Sequence, residues 1–130
     1  MNRKSIGSNA ERELIHQFWK NDIAAIRVAG SGSMKYPSPD IIAGNSLRKL
    51  VIECKKVSEN KLYIPKHEIN LLLEFSNKFG AEPFIAVKFG KEWYFLIIED
   101  LRETSASFSI NTEEVRIKGL LFEDIIKSFD

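Results

Sequence analysis

The sequence predicts an α/β fold: a single domain over residues 1–130 with a central mixed β-sheet flanked by helices. Three observations lead there. Short runs of period-2 alternation are interleaved with stretches at helical spacing. The order of these runs, αβββαββ and then a final α, places helices on both faces of a sheet. The 130 residues are 44% hydrophobic and 28% charged, enough for a real core, and no repeat, low-complexity tract or linker divides them.

Taken in order, Ser8 or Asn9 caps a first helix that runs to about Lys20, with Leu14, Ile15, Phe18 and Trp19 on its apolar face. Ala24–Val28 is a short strand, and residues 29–39 form a connection rich in turn residues. Residues 40–43 and 49–56 form a hairpin around Asn45-Ser46-Leu47-Arg48. Pro65 starts a second helix at its first position, and Gly80 ends it. Residues 83–89 and 93–98 pair across a turn at Gly90-Lys91. The tail holds short strands at 107–110 and 115–117, then a helix over 120–129. The polar N-terminus has no apolar signal region, and no apolar run is long enough to span a bilayer. The lone Cys54 excludes an internal disulfide and suits a reducing, cytoplasmic setting.

The hairpin carries polar residues where a core is expected. Side chains alternate across a strand, so Glu53 and Lys55 share one face while Cys54 joins Leu50 and Ile52 on the other. If the loop 45–48 closes the hairpin, Gly44 pairs with Lys49 and Asp40 lies opposite Glu53. Like charges facing across a ladder cost a few tenths to ~1 kcal/mol. A divalent cation offsets that cost, and oxygen ligands without histidine or thiolate select Mg²⁺, with Mn²⁺ as a substitute. The plainer account is that Lys55 neutralises the acids in a cross-strand ion pair. Charge is also unevenly spread: residues 1–66 carry 12 Lys/Arg against 6 Asp/Glu, and residues 67–130 carry 7 against 12. A basic surface around an acidic centre suits a polyanion that must meet a cation, such as a nucleic-acid backbone.

Pro39-Asp40, twelve intervening residues and then Glu53-x-Lys55 form the pattern of the PD-(D/E)xK nucleases. Together with GSNAEREL (7–14), IRVAGS (26–31), VIECK (51–55), LLEFSNKFG (72–80) and AVKF (86–89), it resembles the archaeal Holliday junction resolvases (Hjc and Hje). The likeness runs over residues 3–98, and the Ser31 loop looks like the Hje type. The resemblance implies a type II restriction endonuclease-like fold and a structure-specific endonuclease that resolves four-way DNA junctions by paired metal-dependent nicks. It makes Glu11, Asp40 and Glu53 the metal-binding acids, with Glu13 as the alternative to Glu11 should the register slip. It makes Lys55 the catalytic lysine and Ser31 a further catalytic residue. Arg12 and Arg27 correspond to basic residues implicated in DNA binding or cleavage. Lys35, Arg48 and Lys56 add candidate phosphate contacts, although solvated charge is the default for Arg48 and Lys56. Ser31 could equally be a turn former, and Arg27 a residue at a strand edge. His16 and His67 are assigned no role, and Cys54 reads as a core filler.

The apolar residues of helix 65–79 cover an arc of about 200°, twice the stripe needed to pack on one sheet. Leu71, Phe75 and Phe79 form a ridge at one margin. Pattern alone leaves open a helix buried on both sides within one chain; the resemblance implies a homodimer through this ridge. Two identical sites at fixed separation suit paired cuts in a junction with approximate two-fold symmetry. Rival readings are a nuclease of the same fold acting on linear or damaged duplex, a non-catalytic junction-binding architectural protein, and a small interaction domain unrelated to DNA. The sequence leaves open whether a sliding clamp or a helicase directs the protein.

Overall fold

The structure, a computed structural model, describes residues 3–29, 35–57 and 60–129. The first helix, α1 (Arg3–Lys20), starts well before the expected Ser8 or Asn9 cap. Serine and asparagine cost a helix interior only a few tenths of a kcal/mol and glycine about 1, so no residue at 7–9 forces a stop. Leu14 and Phe18 of α1 are fully buried. Trp19 stands half-exposed, and its indole Nε1 donates to Ala25 O (2.9 Å). That contact covers part of β1 (Ala24–Arg27), the edge strand of the main sheet.

β2 (Ile41–Gly44) and β3 (Lys49–Lys56) form the expected antiparallel hairpin in the expected register, Gly44 opposite Lys49 and Ile41 opposite Ile52. Asn45 closes the loop. Its backbone N–H donates to Arg48 O, and its side-chain Oδ1 accepts from the N–H groups of Leu47 and Arg48, all at 2.9 Å. A Cβ on Gly44 would meet Arg48 O at 2.7 Å, so the close crossing at this corner requires glycine.

After β3 the chain leaves the main sheet. β4 (Lys61–Pro65), which the sequence reading did not anticipate, leads directly into α2 (Lys66–Phe79). Pro65 is the last residue of the strand and the N-cap of the helix, so the helix starts at Lys66, one residue later than expected. Gly80 ends α2 in the left-handed region (φ 77°), with its N–H donating to Ser76 O at 2.9 Å. β5 (Glu82–Phe89) then returns parallel to β3, and β6 (Glu92–Leu96) pairs antiparallel with β5. A short 3-10 turn over Ile98–Asp100 replaces the end of the expected 93–98 strand.

The tail differs most from expectation. β7 (Arg102–Glu103) and β8 (Ser107–Asn111) join β4 in a second sheet of order β4-β8-β7. The segment expected as a strand at 115–117 lies in a helix, α3 (Thr112–Lys118). Val115 and Ile117 favour strands, but a capping box decides: Asn111 Oδ1 accepts from Glu114 N (2.8 Å), while Asn111 N donates to Glu114 Oε1. Leu120–Leu121 form β9 against β6, and the final helix, α4 (Phe122–Lys127), is shorter than the expected 120–129.

The main sheet has the order β1-β2-β3-β5-β6-β9 and is mixed, as expected. Alternation along β3 and β5 divides its apolar residues between two cores. Leu50, Ile52, Phe84 and Ala86 pack with Leu14, Phe18 and Ile125 beneath α1 and α4. Val51, Ile85 and Val87 pack with Ile64, Ile69, Leu72, Ile110 and Val115 beneath α2, α3 and the small sheet. Beyond Ile52 the two faces of β3 end in polar side chains, where the candidate site lies.

Candidate active site

Asp40 sits just before β2 and is fixed by its own backbone. Its N–H donates to Ile52 O (3.0 Å), and its carbonyl accepts from Val28 N (2.8 Å). Its side-chain Oδ2 accepts from Cys54 N (2.8 Å). These bonds place the carboxyl at the end of the β1-β2-β3 ladder, where residues from both faces of β3 can reach it. From the α1 face, Glu11 approaches with Cys54, and ligand atoms of Glu11, Asp40 and Cys54 all lie within 4.8 Å of one another. From the α2 face, Glu53 follows Ile52 in the hairpin register and comes close enough to Asp40 to feel its negative charge.

The expected trio of Glu11, Asp40 and Glu53 is therefore arranged around Asp40 as the shared member. Among the described residues, the compact three-ligand group contains Cys54 in place of Glu53. Alternation explains it: Glu53 points to the opposite side of β3 from Cys54 and Glu11. Strand period places Cys54 on that face already at the sequence level, but a thiol between two acids reads there as filler. Of the two N-terminal glutamates, Glu11 stands beside Asp40, whereas Glu13 is largely exposed and accepts from Lys88 Nζ at 3.1 Å.

Crowding of acids shapes the electrostatics. Burial, reinforced by the negative charge of Asp40, pushes Glu53 up to about 8. Burial also raises Glu11, again with Asp40 adding to it, and the hydrogen bond from Arg27 (Nε to Oε1, 2.9 Å) does not reverse the shift. The Cys54 thiol is driven well above its ordinary value by burial and by the neighbouring acids Asp40, Glu11 and Glu53. For Lys55, burial alone would lower the pKa. The hydrogen bond and charge of Glu68, with Glu53 and Asp40, outweigh burial and leave it raised. Glu68, in the first turn of α2, was not anticipated from the sequence; its carboxylate lies 2.6 Å from Lys55 Nζ, while Glu53 lies at 3.8 Å.

This donor set fits a hard divalent cation. Asp40 lies between Glu53 on one face of β3 and Glu11 on the other, so three carboxyls whose charges oppose one another are gathered at one end of the hairpin, and a cation would relieve that opposition.

The candidate DNA contacts meet different fates. Arg12 is exposed on α1 near Asn9, whereas Arg27 is half-buried and bonded to Glu11. Arg48 is committed inside the molecule. It forks onto Glu82 (Nη2 to Oε1, 3.0 Å), donates to Ser128 O (3.0 Å) and covers the Phe129 ring. It also ends the hairpin loop, five residues before Glu53 and roughly 17 Å away at strand rise. Within the chain it serves as a clamp between hairpin, β5 and C-terminus. Lys56 is exposed beside Lys88 in the β3–β5 register, and the Lys88 ammonium lies 5.8 Å from the Trp93 ring centroid. Lys35 is exposed and packs its ammonium near the Tyr36 ring (5.6 Å). Ser31 lies outside the described residues.

On α2, Leu71 and Phe79 are more than 40% exposed, and the Phe75 and Phe79 rings stand 5.4 Å apart. Phe75 and Phe79 line a groove of about 340 Å³ with Tyr36, Pro37, Glu74 and Lys78. On the same side of the sheet, Ile26 of β1 is 59% exposed.

Residues 2–130 match the model of the family described as archaeal Holliday junction resolvase (Hjc). The chain belongs to this family. It is 41% identical over 127 residues to the crossover junction endodeoxyribonuclease Hjc of Archaeoglobus fulgidus, covering 97% of this chain and 93% of that protein. It is also 41% identical over 103 residues to the crossover junction endodeoxyribonuclease Hje of Saccharolobus solfataricus, covering 76% of each. The Hjc likeness extends further along the chain, so the comparisons do not single out the Hje type. The solved structure of A. fulgidus Hjc, described as a Holliday junction resolvase from an archaeal hyperthermophile, superimposes with a TM-score of 0.85. That match has 38% identity and covers 94% of this chain and 99% of that one. The likeness to Hjc takes in the tail as well as residues 3–98, on which the sequence resemblance rested.

Proposed function

We propose that this member of the Hjc family is a divalent-metal-dependent endonuclease that cuts four-way DNA junctions, with Mg²⁺ as its cation and Mn²⁺ as a substitute. The observation that carries the reading is the Asp40–Glu53 carboxyl pair, placed beside Lys55 at the end of the family's β-hairpin. Asp40, Glu53 and Glu11 would hold the cation. When bound, it supplies polarisation of the scissile phosphate and a lowered pKa for an attacking water. Asp40 presents its carboxyl from a backbone held by two hydrogen bonds, so little reorganisation is needed on binding. Lys55, kept cationic by its carboxylate neighbours, serves as a hydrogen-bond donor and positive charge toward the phosphate or its water; it is poorly suited to act as a base. Arg27 restrains Glu11 from the other side.

Two copies pairing through Leu71, Phe75 and Phe79 would place two such sites at a fixed separation, as paired nicks across a junction require. The exposed α2 ridge and the adjoining groove support that pairing. Lys35 and Tyr36, exposed beside this groove, are suited to contact junction arms, with the Ser31 segment preceding them in the chain.

The test compares wild type and Asp40→Asn on an immobile four-way junction with Mg²⁺, beside a linear duplex of matching sequence. Symmetric nicks in the junction alone, reduced at least a hundredfold in Asp40→Asn while junction binding persists, are expected. Equal cutting of both substrates would leave a nuclease without junction selectivity. Binding without cutting by wild type in Mg²⁺ and in Mn²⁺ would leave an architectural junction binder.

A further inference from the structure

Lys55 has two carboxylates within reach, and its shorter contact is to the one outside the sequence motif. Its Nζ lies 2.6 Å from Glu68 Oε1 but 3.8 Å from Glu53 Oε2. A lysine two residues along a strand from a glutamate shares its face, and with no other partner it would close on that glutamate. Here α2 delivers a second acceptor from across the strand.

The position of that acceptor is set without help from Lys55. Pro65, the residue before α2, pairs with Ser107 in the small sheet, and Lys66 N donates to Ala106 O (3.3 Å). Lys66 Nζ is bonded to Glu103 at 2.9 Å. One turn on, Ile69 and Leu72 are buried in the second core. Glu68 therefore stands on a backbone fixed from two directions. The four-carbon stem of Lys55 is the partner that adapts.

We propose that Glu68 is a positioning residue for Lys55, holding the ammonium at the rim of the site and off Glu53. The inference rests on the resolvase reading above. An ammonium has three N–H donors and Glu68 takes one, which leaves donors for a phosphate oxygen or a water. Glu53 then keeps its carboxylate open toward a cation. Without Glu68 the ammonium closes on Glu53, competing with the cation for that carboxyl and withdrawing from the phosphate together. An ion pair that merely fastened α2 to β3 would lower the melting midpoint when broken and leave cation binding and cleavage rate alone.

The experiment compares Glu68→Ala with Glu68→Gln, each also in a Lys55→Ala background. Both remove the charge, but glutamine keeps an acceptor oxygen. Mn²⁺ binding is measured without DNA by electron paramagnetic resonance, single-turnover cleavage on a four-way junction in Mg²⁺, and junction affinity in Ca²⁺. Glu68→Ala is expected to cut at least tenfold more slowly than wild type and to bind Mn²⁺ at least threefold more weakly than Glu68→Gln. Glu68→Gln should cut within threefold of wild type, and junction affinity should change less than twofold in either. With Lys55→Ala present, the two variants should bind Mn²⁺ alike. Equal losses in the alanine and glutamine variants, no loss in either, or an unchanged difference without Lys55 would each overturn the proposal. If Glu68→Ala does not fold, Glu68→Met, which fills the volume without an acceptor, takes its place. A wild type that binds Mn²⁺ but leaves the junction intact refutes the resolvase reading, while the Mn²⁺ comparison still decides whether Glu68 holds Lys55.

Discussion

Replacing Glu53 with glutamine should make the metal-free protein more stable above neutral pH, although it removes an acid proposed to hold the cation. The folded protein keeps a proton on Glu53 up to about pH 8, whereas the unfolded chain releases it near the ordinary 4.5. The native state thus binds more protons than the unfolded state between those values. Stability from the protonated acid is complete below about 4.5 and is lost as pH rises through 8. At 1.36 kcal/mol per pKa unit, the shift sets a ceiling of about 5 kcal/mol. Water reaching the carboxyl and relaxation around Asp40 reduce this to about 2–4 kcal/mol. For a chain of this length that corresponds to about 8–15 °C in melting midpoint. The assay is a series of thermal melts in EDTA from pH 5 to 9, for wild type and Glu53→Gln. Glutamine mimics the protonated acid at every pH, so the two midpoints should nearly coincide at pH 5 and separate by that amount at pH 9. Slopes from Glu11 and other groups are common to both proteins and cancel in the difference. Added Mg²⁺ should restore the wild type at pH 9 and do much less for the variant. Midpoints that run parallel from pH 5 to 9 would show that Glu53 is an ordinary solvated carboxylate, and the electrostatic argument for a cation at this site would fail.

Other expected outcomes follow from the surface and the tail. Phe79→Glu should convert a dimer to a monomer in sedimentation equilibrium while leaving the melting midpoint of the monomer within a few degrees; an unchanged mass would remove the α2 ridge as the pairing surface. Arg48→Ala should cost about 1–3 kcal/mol of stability through its lost bonds to Glu82 and Ser128. The slope of log Kd for junction DNA against log salt should stay the same, whereas a slope reduced by about one would return Arg48 to the phosphate contacts. Asn111→Ala should remove the α3 cap and cost about 1 kcal/mol, read as a midpoint lowered by roughly 3–5 °C with cleavage intact.

The hairpin was legible in the sequence because its register depends on local rules. A four-residue loop, a glycine at the corner and period-2 alternation together bring Asp40 and Glu53 together, and the register observed, Gly44 opposite Lys49 and Ile41 opposite Ile52, is the one those rules give. What escaped depends on partners distant in the chain. β4 finds its mate in β8, with Leu62 opposite Ile110, and no local pattern near residue 62 announces that pairing. Glu68 escaped for the same reason: its meeting with Lys55 depends on how α2 crosses β3. In α3 two local signals conflict: the Asn111-x-x-Glu114 cap starts a helix, whereas Val115 and Ile117 favour a strand, and the cap wins. The partners that Arg48 holds within the chain lie 34 and 80 residues away, beyond the reach of any local pattern.

The small sheet has a consequence for the order in which the molecule is made. All the residues of the junction-resolvase signature have left the ribosome once about residue 98 emerges. The start of α2, which carries Glu68 to Lys55, is tied to β8 and to Glu103, and these are synthesised later. A nascent chain holding every signature residue therefore lacks the strand that anchors the carboxylate beside its lysine. The assembled site has to wait until Asn111 clears the exit tunnel and β8 docks. A chain stopped short of that point would carry the motif on its hairpin, beside a helix whose N-terminus has lost its support.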